Sequence, residues 1–502
     1  MLAAVIKSKD CNEAIEDIKK VKGADLIELR LDYIKNLKND GIRRLMIKCE
    51  KPAITTCRKK SEGGFFSGNE NERIDILKSA VKHGADYIDM EYSSDKDSIR
   101  DVIKNKKNAK IIVSHHDFKG TQNNIRNLYY KIKKFKPDLI KIVTQANSVT
   151  GNFKIFELIK TANEENQKII AFCMGSYGKF SRILSLILGS QITYASVGKS
   201  EEAASGQPTI KELVDYYRIK KINKNTKIVG LIGNPVEHSW SHIIHNAGFD
   251  KLDINAVYLK FQVDKLREFI DYFKKLNAFG FSVTIPHKIE VIKYLDAIDK
   301  KAEEIGAVNT IVIKNGKLIG YNTDCDGAIQ ALKKKIRLRN KNIVLLGAGG
   351  STRALAYGLK EEKANITILN RTIGKAKNLA EYFDCNYGSL EDLKNLDYDI
   401  LINATSIGMY PKINDSLVQI NLIKKNSVIF DIVFNPFKTK LLKDAEKKNC
   451  IVIPGFEMLI NGAALQFELW TGKKAPEQLM RTKVVEYVKN HQSETGGMLL
   501  SQ

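Results

Sequence analysis

Short apolar segments of the β type recur along the first half of the chain, and each gap between them holds apolar residues at helical spacing. In the gap 71–83, for example, Ile74, Leu77 and Val81 share one helical face. Eight strands that alternate with helices over about 200 residues predict a (β/α)8 barrel, whose chemistry lies at the carboxyl ends of its strands. The predicted strands are 3–7, 26–32, 53–58, 87–92, 110–117, 139–146, 169–175 and 192–198.

A different pattern begins after the short polar and basic stretch 220–227, which we interpret as a domain boundary. A second α/β unit opens with a predicted strand at 228–233 and continues with strands at 256–261 and 279–285. It also contains a hairpin centred on Asn315-Gly316, a favoured pair for a type I′ turn. A third unit begins with a buried parallel strand at 342–347, so the whole chain is predicted to be α/β.

Composition is typical of a soluble globular protein: the 502 residues are 43% hydrophobic and 28% charged. No apolar run approaches the roughly 18 residues of a membrane helix, and the apolar opening 2–6 is too short for a signal sequence. The seven cysteines are scattered without C-x-x-C spacing, which argues against a disulfide framework and a zinc site. We expect a cytoplasmic protein with no metal and no membrane partner.

The formal net charge of +23 raises the question of nucleic acid, because basic patches neutralise phosphates. The excess of lysine and arginine is, however, spread evenly over both halves of the chain. An even distribution is typical of a solvated basic surface, so we predict no nucleic-acid partner. Small anionic substrates are compatible with this charge.

A glycine turn, Gly347-Ala348-Gly349-Gly350, lies between the predicted strand 342–347 and the helix-like segment 352–360. This order is typical of a dinucleotide site, because glycines let the backbone approach a pyrophosphate and the helix N-terminus favours its charge. The next strand ends in Asn370-Arg371-Thr372, where NAD-binding proteins usually place an acidic residue. An arginine there can pair with a 2′-phosphate, so the sequence predicts NADP, with a plain surface arginine as the alternative.

Two strand ends ahead of the cofactor strand carry candidate proton-transfer groups. Ser282-Val-Thr-Ile-Pro-His-Lys288 ends one strand, and Gly320-Tyr-Asn-Thr-Asp324 ends the hairpin. Reduction of a ketone needs a proton donor beside the hydride path, and a lysine held by a carboxylate can fill that role. In so lysine-rich a chain, a surface charge is the competing interpretation of Lys288.

These segments, with Gly233-Asn-Pro-Val-Glu-His-Ser239-Trp-Ser241, Ala-Val-Asn309-Thr and Asn403-Ala-Thr-Ser-Ile-Gly408-Met, closely resemble shikimate dehydrogenase over residues 226–488. The resemblance implies that Ser239 and Ser241 hold the substrate carboxylate, and that Lys288 with Asp324 does the proton chemistry. It implies that Thr284, Asn309 and Asp324 bind the substrate hydroxyls. The residues that it places at NADP are Gly347, Ala348, Gly349, Gly350, Ser351, Asn370, Arg371, Thr372, Thr405 and Gly455.

Three departures from this family pattern cluster at the substrate. Ser282 stands where the family usually has asparagine, Phe434 where it has tyrosine, and Gly462 where a substrate-binding glutamine is expected. Lost hydrogen bonds of this kind typically cost about 1–3 kcal/mol each when a partner is left unpaired. We therefore expect weaker binding or a shifted substrate such as quinate.

In the first half, Lys141 is flanked by apolar residues within the sixth predicted strand. An unpaired ammonium there would be costly unless its pKa falls, and a neutral amine can form a Schiff base with a ketone. A lysine that snorkels at the strand end is the structural alternative. Position alone leaves open which of His115 and His116 is the base. Other strand ends add Glu28, Arg30, Arg58, Glu62 and Asp117.

These residues, with Cys173-Met174-Gly, Ser181-Arg182 and Gly206-Gln207, resemble type I 3-dehydroquinate dehydratase over residues 1–217. The family's His-Asp-Phe pattern selects His116 as the general acid/base and Lys141 as the Schiff-base nucleophile, with Glu62 near His116. One departure is that the usual Ser-Ala-Pro-Gly-Gln reads Ala203-Ala-Ser-Gly-Gln207, which loses a loop hydroxyl or replaces it by Ser205. The residues implied around the substrate are Glu28, Arg30, Arg58, Met174, Arg182 (on the carboxylate) and Gln207.

The two halves together look like a bifunctional enzyme that dehydrates 3-dehydroquinate and then reduces 3-dehydroshikimate to shikimate with NADPH. Two alternatives stay open: a Schiff-base aldolase barrel fused to a quinate/shikimate-type dehydrogenase, and a substrate-sensing regulator with weakened catalysis. The predicted parts are a barrel at 1–218, a substrate-binding domain at 226–328, a Rossmann domain at 329–460, C-terminal helices at 461–490 that return to the substrate domain, and a tail at 491–502.

Overall fold

The computed structural model describes residues 1–198 and 206–490. Two compact units divide the chain: Met1–Thr226 with Phe261–Tyr272, and Lys227–Lys260 with the chain from Phe273 onward. The predictions that concern Ala203, Ser205 and the tail 491–502 lie outside the described residues. Within those two described ranges, no helix combines the length and apolarity needed to cross a bilayer. The same ranges contain no group of three or more His, Cys, Asp or Glu side chains arranged to hold a metal ion.

The first unit contains an eight-stranded sheet in which β1 to β7 follow one another in chain order, and β8 adjoins β1. All of its ladders are parallel. The two ends of the sheet meet where the Gln191 N–H, before β8, donates to the Ile169 carbonyl at the start of β7, at 2.8 Å. The predicted (β/α)8 barrel is therefore confirmed. Its strands are β1 Leu2–Ile6, β2 Leu26–Arg30, β3 Ala53–Thr56, β4 Tyr87–Glu91, β5 Lys110–Asp117, β6 Leu139–Gln145, β7 Ile169–Met174 and β8 Thr193–Ser196.

Helices follow the barrel strands in alternation. The third begins with a capping box in which Asn69 and Glu72 satisfy each other's backbone N–H groups, as its polar first turn leads one to expect. Strand β2 ends earlier than predicted because Leu31–Tyr33 turn into a short 3-10 helix, tied down by the Asp32 side chain. The helices are α1 Cys11–Lys20, α2 Asn39–Lys48, α3 Glu70–Lys82, α4 Lys96–Lys104, α5 Ile125–Lys133, α6 Thr150–Glu164 and α7 Ser181–Ile187.

The second unit contains two six-stranded sheets. The first has the order β10-β9-β11-β13-β14-β12 and is mixed, since β13 runs antiparallel to both of its neighbours. Its β13–β14 hairpin turns at Asn315-Gly316, where both φ angles are positive (52° and 76°), as a type I′ turn requires. Its elements are β9 Lys227–Gly233, α8 Ser241–Lys251, β10 Ala256–Gln262, β11 Ala278–Val283, β12 Ala297–Ile298, α10 Lys300–Ile305, β13 Thr310–Lys314, β14 Lys317–Tyr321 and α11 Asp324–Lys333. Helix α9, Leu266–Phe273, lies except for its last residue in the segment that belongs to the first unit.

The second sheet is wholly parallel, with the order β17-β16-β15-β18-β19-β20. This is the doubly wound order of a dinucleotide-binding fold, in which the crevice for the ligand opens where the strand order reverses, between β15 and β18. The predicted Rossmann domain is confirmed. Its elements are β15 Asn342–Leu346, α12 Gly350–Glu361, β16 Asn365–Leu369, α13 Ile373–Phe383, β17 Asn386–Gly388, β18 Ile400–Asn403, β19 Val428–Asp431, α14 Lys440–Glu446 and β20 Ile451–Pro454.

Two helices close the described chain, α15 Gly455–Thr471 and α16 Glu477–Asn490. Helix α15 packs on the mixed sheet: the Trp470 indole N–H donates to the Ile311 carbonyl of β13 at 2.9 Å. It crosses α11 closely, because a Cβ added to Gly327 would lie 2.9 Å from the backbone nitrogen of Gly462. This packing brings side chains of α15 beneath the strand ends of the mixed sheet.

Candidate active sites

Lys141, on β6, lies among charged partners from other barrel strands. Its Nζ is 2.8 Å from Asp89 Oδ2 on β4 and 3.5 Å from Glu28 Oε1 on β2. The ring centroid of Tyr194, on β8, is 4.1 Å from the same nitrogen. The apolar neighbours of Lys141 in the sequence are therefore not its partners in space, and an ammonium there is paired. Two carboxylates and an aromatic face stabilise a positive charge at Nζ, on an ammonium and on a protonated imine alike.

Arg58, just beyond β3, completes the cluster. Its Nη2 contacts Asp89 Oδ2 at 2.8 Å, and its Nη1 donates to Ser114 Oγ at 2.7 Å. The Ser114 hydroxyl in turn donates to Asp89 Oδ1 at 2.6 Å. Although burial opposes it, the positive charges of Arg58 and Lys141 hold the pKa of the Asp89 carboxyl far below its usual range. Asp89 is thus a permanent anion beside the lysine.

Strand alternation distinguishes the two candidate histidines. Side chains on β5 alternate between its faces, so His116 shares the face of Ser114 and His115 lies on the other. His116 Nδ1 is 3.3 Å from Glu62 Oε2. Burial lowers the pKa of His116 well below its usual 6.5, and the Arg58 guanidinium lowers it further. The imidazole is therefore neutral at neutral pH and able to accept a proton.

The other residues predicted around this site lie at the same ends of the strands. Arg30, at the end of β2, forms a two-point pair with Asp32 at 2.9 and 2.8 Å. Arg182, in the first turn of α7, holds its guanidinium 4.6 Å from the ring centroid of Phe172. Gln207 follows β8 and is buried, and Met174 is the last residue of β7.

Sequence reasoning missed three members of the barrel cluster: Asp89, Ser114 and Tyr194. Asp89 stands at a fully buried position of a mostly apolar strand, and a buried carboxylate is rare unless it is paired. The contrast between this carboxylate and its apolar neighbours was the signal in the sequence that could have identified Asp89. Tyr194 gave no comparable signal, because a tyrosine in a strand pattern is ordinary.

A second cluster joins the mixed sheet to the glycine turn. Lys288, after β11, has its Nζ 2.5 Å from Asp324 Oδ2 and 3.3 Å from Ser351 Oγ. The Asn309 amide donates to Asp324 Oδ1 at 2.8 Å. A Cβ added to Gly350 would lie 3.4 Å from the Lys288 side chain. The lysine therefore reaches the first turn of α12, where the predicted cofactor turn ends.

Ser239 and Ser241 meet at the start of α8. The Ser239 hydroxyl donates to Ser241 Oγ at 3.1 Å and accepts from the Ser241 N–H at 3.2 Å. Paired hydroxyls at a helix N-terminus suit a carboxylate, because the helix dipole favours negative charge there. Thr284 directly follows β11, with its N–H donating to the Ile232 carbonyl at 2.9 Å.

The hydroxyl of Ser282, the first of the three departures, is hydrogen-bonded on both sides within the protein. Its Oγ accepts from the Tyr258 hydroxyl at 2.8 Å and donates to Gln466 Oε1 at 2.9 Å. Sequence reasoning missed Gln466, whose signal was a polar residue on the apolar helix α15. A side chain of α15, Gln466, therefore accepts the hydrogen bond of the small side chain at position 282.

The other two departures differ from each other. Phe434 packs against Trp240, with ring centroids 5.2 Å apart, so the ring of the expected tyrosine is kept without its hydroxyl. Gly462 tolerates a Cβ, because an added Cβ would be in ordinary contact with the Thr323 carbonyl oxygen at 3.6 Å.

The glycine turn lies at the switch point of the parallel sheet, between β15 and β18. Gly347 has a φ of +109°, and an added Cβ would lie 2.8 Å from Thr405 Cγ2, so the turn requires glycine. A Cβ added to Gly349 would meet nothing within 4 Å, which leaves open space at the N-terminus of α12. Arg371 is exposed just after the neighbouring strand β16. Open backbone and an exposed guanidinium fit a phosphorylated dinucleotide.

The remaining residues predicted at the cofactor lie along the same edge of the sheet. The Asn370 amide donates to the Thr372 carbonyl at 2.9 Å, which shapes the turn after β16. The Thr405 hydroxyl donates to Asn403 Oδ1 at 2.7 Å, after β18. Gly455 begins α15, directly after β20.

Family models match nearly the whole chain. The model described as type I 3-dehydroquinase matches residues 2–224, and the shikimate dehydrogenase substrate binding domain matches 231–311. The shikimate / quinate 5-dehydrogenase model matches 330–436, and the shikimate 5′-dehydrogenase C-terminal domain matches 455–484. The order of the models follows the order of the domains in the fold.

Individual relatives agree with these matches. A bifunctional 3-dehydroquinate dehydratase/shikimate dehydrogenase of Arabidopsis thaliana is 38% identical over 91% of this chain and 79% of its own length. A shikimate dehydrogenase (NADP(+)) of Methanocaldococcus jannaschii is 46% identical over 53% of this chain and 99% of its own length. A crystal structure of a shikimate dehydrogenase in complex with NADP+ matches with a TM-score of 0.51 and 46% identity, and covers 53% of this chain and 97% of that one.

Proposed function

Because the chain belongs to the family of bifunctional 3-dehydroquinate dehydratase/shikimate dehydrogenases, we propose that Lys141 and Lys288 are the centres of two active sites that act in succession. The barrel dehydrates 3-dehydroquinate to 3-dehydroshikimate, and the second unit reduces this ketone to shikimate with NADPH. The observation that carries the proposal is the pairing of each lysine: Lys141 with Asp89 and Glu28, and Lys288 with Asp324.

In the barrel, the Lys141 amine attacks the substrate ketone, and loss of water leaves a protonated imine. Attack needs the neutral amine, so one Nζ proton first passes to the Glu28 carboxylate, 3.5 Å away, while Asp89 stays ionised. The neutral His116 then takes a proton from the carbon beside the imine, which acts as an electron sink. The imidazolium returns that proton to the departing hydroxyl, and water hydrolyses the imine to free Lys141.

In the second unit, Ser239 and Ser241 hold the substrate carboxylate, and Thr284, Asn309 and Asp324 hold its hydroxyls. NADPH supplies the hydride when it is bound. Lys288 donates a proton to the ketone oxygen as that oxygen gains negative charge, while Asp324 orients the ammonium from 2.5 Å. The cofactor would be held by the glycine turn, Ser351, Thr405 and the Asn370-Arg371-Thr372 turn.

Three further predictions from the sequence accompany this function and remain proposals. The domain bounds at 218, 226, 328 and 460 are proposed as the working division of the chain. The seven cysteines are all free, which suits the proposed cytoplasmic, reducing location. The even spread of the basic charge suits small anionic substrates without a nucleic-acid partner.

The direct test supplies 3-dehydroquinate and NADPH to the purified chain. We expect NADPH oxidation, followed by absorbance, to be coupled to the appearance of shikimate. Oxidation with 3-dehydroshikimate but not with 3-dehydroquinate would contradict the barrel assignment alone. Thermal stabilisation by these ligands without turnover would favour a substrate-sensing regulator instead.

Arg371→Asp should reverse the cofactor preference. Charge-assisted hydrogen bonds to a phosphate contribute about 1.5–3 kcal/mol, so the KM for NADPH should rise by roughly 10- to 100-fold. The KM for NADH should stay constant or fall. Lys377→Asp, an equally exposed change of charge on α13, is the matched control and should leave both values unchanged. Equal effects of the two variants would remove the proposed role of Arg371.

Glu62→Gln should move the acid limb of the dehydratase pH profile to lower pH. The hydrogen bond and the negative charge of Glu62 favour protonated His116, so their loss lowers the pKa of the imidazole. Because the reaction needs neutral His116, activity then persists to lower pH. The overall rate should also fall by roughly 10-fold or more, since the ring loses its anchor. A profile that moves to higher pH would contradict the assignment, and the dehydrogenase of the same sample is the control.

A further inference from the structure

A line of buried polar side chains, outside the reaction steps described above, leads towards the Lys288 site. It begins at Tyr258 on β10, whose hydroxyl donates to Ser282 Oγ at 2.8 Å. The Ser282 hydroxyl donates to Gln466 Oε1 at 2.9 Å. Burial raises the pKa of the Tyr258 phenol, so the phenol remains a hydrogen-bond donor throughout the working pH range. The Tyr258 hydroxyl therefore fixes the donor-to-acceptor direction of the hydrogen bonds that follow it.

Gln466 passes this direction on to the residues around Asp324. Its Nε2 donates to Thr310 Oγ1 at 3.0 Å and to the Asn309 carbonyl at 3.3 Å. The Thr310 hydroxyl donates to Asn309 Oδ1 at 2.8 Å, and the Asn309 amide donates to Asp324 Oδ1 at 2.8 Å. Asp324 Oδ2 is the oxygen that accepts from Lys288. One uninterrupted polarity thus runs from the phenol to Asp324, the carboxylate that also accepts from the proposed proton donor.

The position of Gln466 is unusual for a structural residue. It lies on a helix whose buried face is otherwise mostly apolar, and its buried side chain makes three hydrogen bonds to other protein groups. A buried amide gains little stability over a well-packed apolar residue, whereas a fully satisfied network fixes one orientation of each member. Orientation is therefore the property that Gln466 adds.

Orientation matters most at Asn309, whose carboxamide could otherwise turn over. The Thr310 hydroxyl accepts from Gln466, so its own proton is directed at Asn309 Oδ1. The Thr323 N–H also donates to Asn309 Oδ1, at 2.8 Å. With the oxygen held in this way, Asn309 can present only its NH2 group to Asp324. The reverse orientation would set an amide oxygen against a carboxylate.

Resting on the function proposed above, we infer that Gln466 is a positioning residue of the dehydrogenase. It holds the Asn309 carboxamide, and through it the Asp324 carboxylate, in register with Lys288. The serine at 282 belongs to the same device, because its hydroxyl fills the gap between Tyr258 and Gln466.

The test compares kcat and KM in the full-length chain. Gln466→Met keeps the length of the side chain but removes its hydrogen bonds, and should lower kcat for 3-dehydroshikimate reduction about 10-fold while the KM for NADPH stays constant. Thr310→Val should give a similar loss, and Thr310→Ser, which keeps the hydroxyl, should retain most of the activity. The double variant Gln466→Met with Thr310→Val should be no slower than the worse single one, because both break the same connection.

Two controls separate positioning from loss of structure. Asn461→Leu removes another buried amide from the same helix, one that donates to the Gly327 carbonyl at 3.1 Å, and should keep kcat within about twofold. The dehydratase activity of each sample reports whether the chain is folded. A Gln466→Met loss no larger than that of Asn461→Leu, or single losses that multiply, would overturn the inference. A wild-type chain without NADPH-dependent turnover would instead remove the proposed function, and this inference with it.

Discussion

Lys141→Ala is expected to abolish dehydration of 3-dehydroquinate, with a fall in kcat of ~10⁴-fold or more, because a covalent nucleophile has no substitute in the site. The charged neighbours of Lys141 remain in this variant, so the cluster loses the amine alone. Asp89, for example, keeps its contacts with Arg58 and Ser114. The dehydrogenase of the same chain should keep its full rate with 3-dehydroshikimate. The two activities measured in one sample therefore separate loss of chemistry from loss of folding.

Borohydride trapping identifies the imine directly. With 3-dehydroquinate and borohydride, the wild-type chain should gain one reduced adduct on the peptide that carries Lys141, and Lys141→Ala should gain none. Lys110→Ala, an exposed lysine at the start of β5, is the matched control and should be trapped like the wild type. An adduct on another lysine, or one formed only with aldol substrates, would exclude the proposed dehydratase mechanism.

Lys288→Met is expected to lower the dehydrogenase kcat by roughly 10²- to 10⁴-fold, the range of a lost general acid. Methionine keeps the length of the side chain, so the contact with the first turn of α12 remains while the proton donor is lost. The KM for NADPH should therefore change little. The dehydratase rate of the same sample should stay at the wild-type value.

The control for Lys288 lies on the following turn. Lys293 is exposed, and Lys293→Met should leave both activities intact. Asp324→Asn should lower kcat in the same direction as Lys288→Met, since the ammonium then loses the charge that orients it. A Lys288→Met enzyme with normal kcat and a raised KM for 3-dehydroshikimate would make Lys288 a substrate-binding residue and not the proton donor.

The periodicity of the sequence predicted the architecture well because each element is buried in a simple way. Barrel strands are covered on both faces and therefore appear as continuous apolar runs, which is why all eight were found within a few residues. The hairpin at Asn315-Gly316 was predictable from its two turn residues alone. Strand β2 ended early because a side chain, Asp32, ties down the turn after it, and periodicity does not contain that contact.

The partners within each site were harder to predict than the elements. Lys141 and Asp89 are 52 positions apart and meet only because β4, β5 and β6 are neighbours in the barrel. Ser282 and Gln466 are 184 positions apart and belong to different elements. A pairing over such a distance leaves no pattern that links the two positions. The departure at 282 was visible in the sequence, whereas Gln466 was marked only as a polar residue on an apolar helix.

Position 462, where the resemblance implies a substrate-binding glutamine, differs from its neighbour in the helix crossing in what it must accommodate. The close crossing of α11 and α15 depends on Gly327, whose missing Cβ leaves room for the backbone of the other helix. Gly462 carries no such constraint, because a side chain there would start in ordinary contact with Thr323. Alanine can therefore replace glycine at position 462 without a clash across the helix pair. Where the resemblance implies a contact with the substrate, the fold itself does not require glycine.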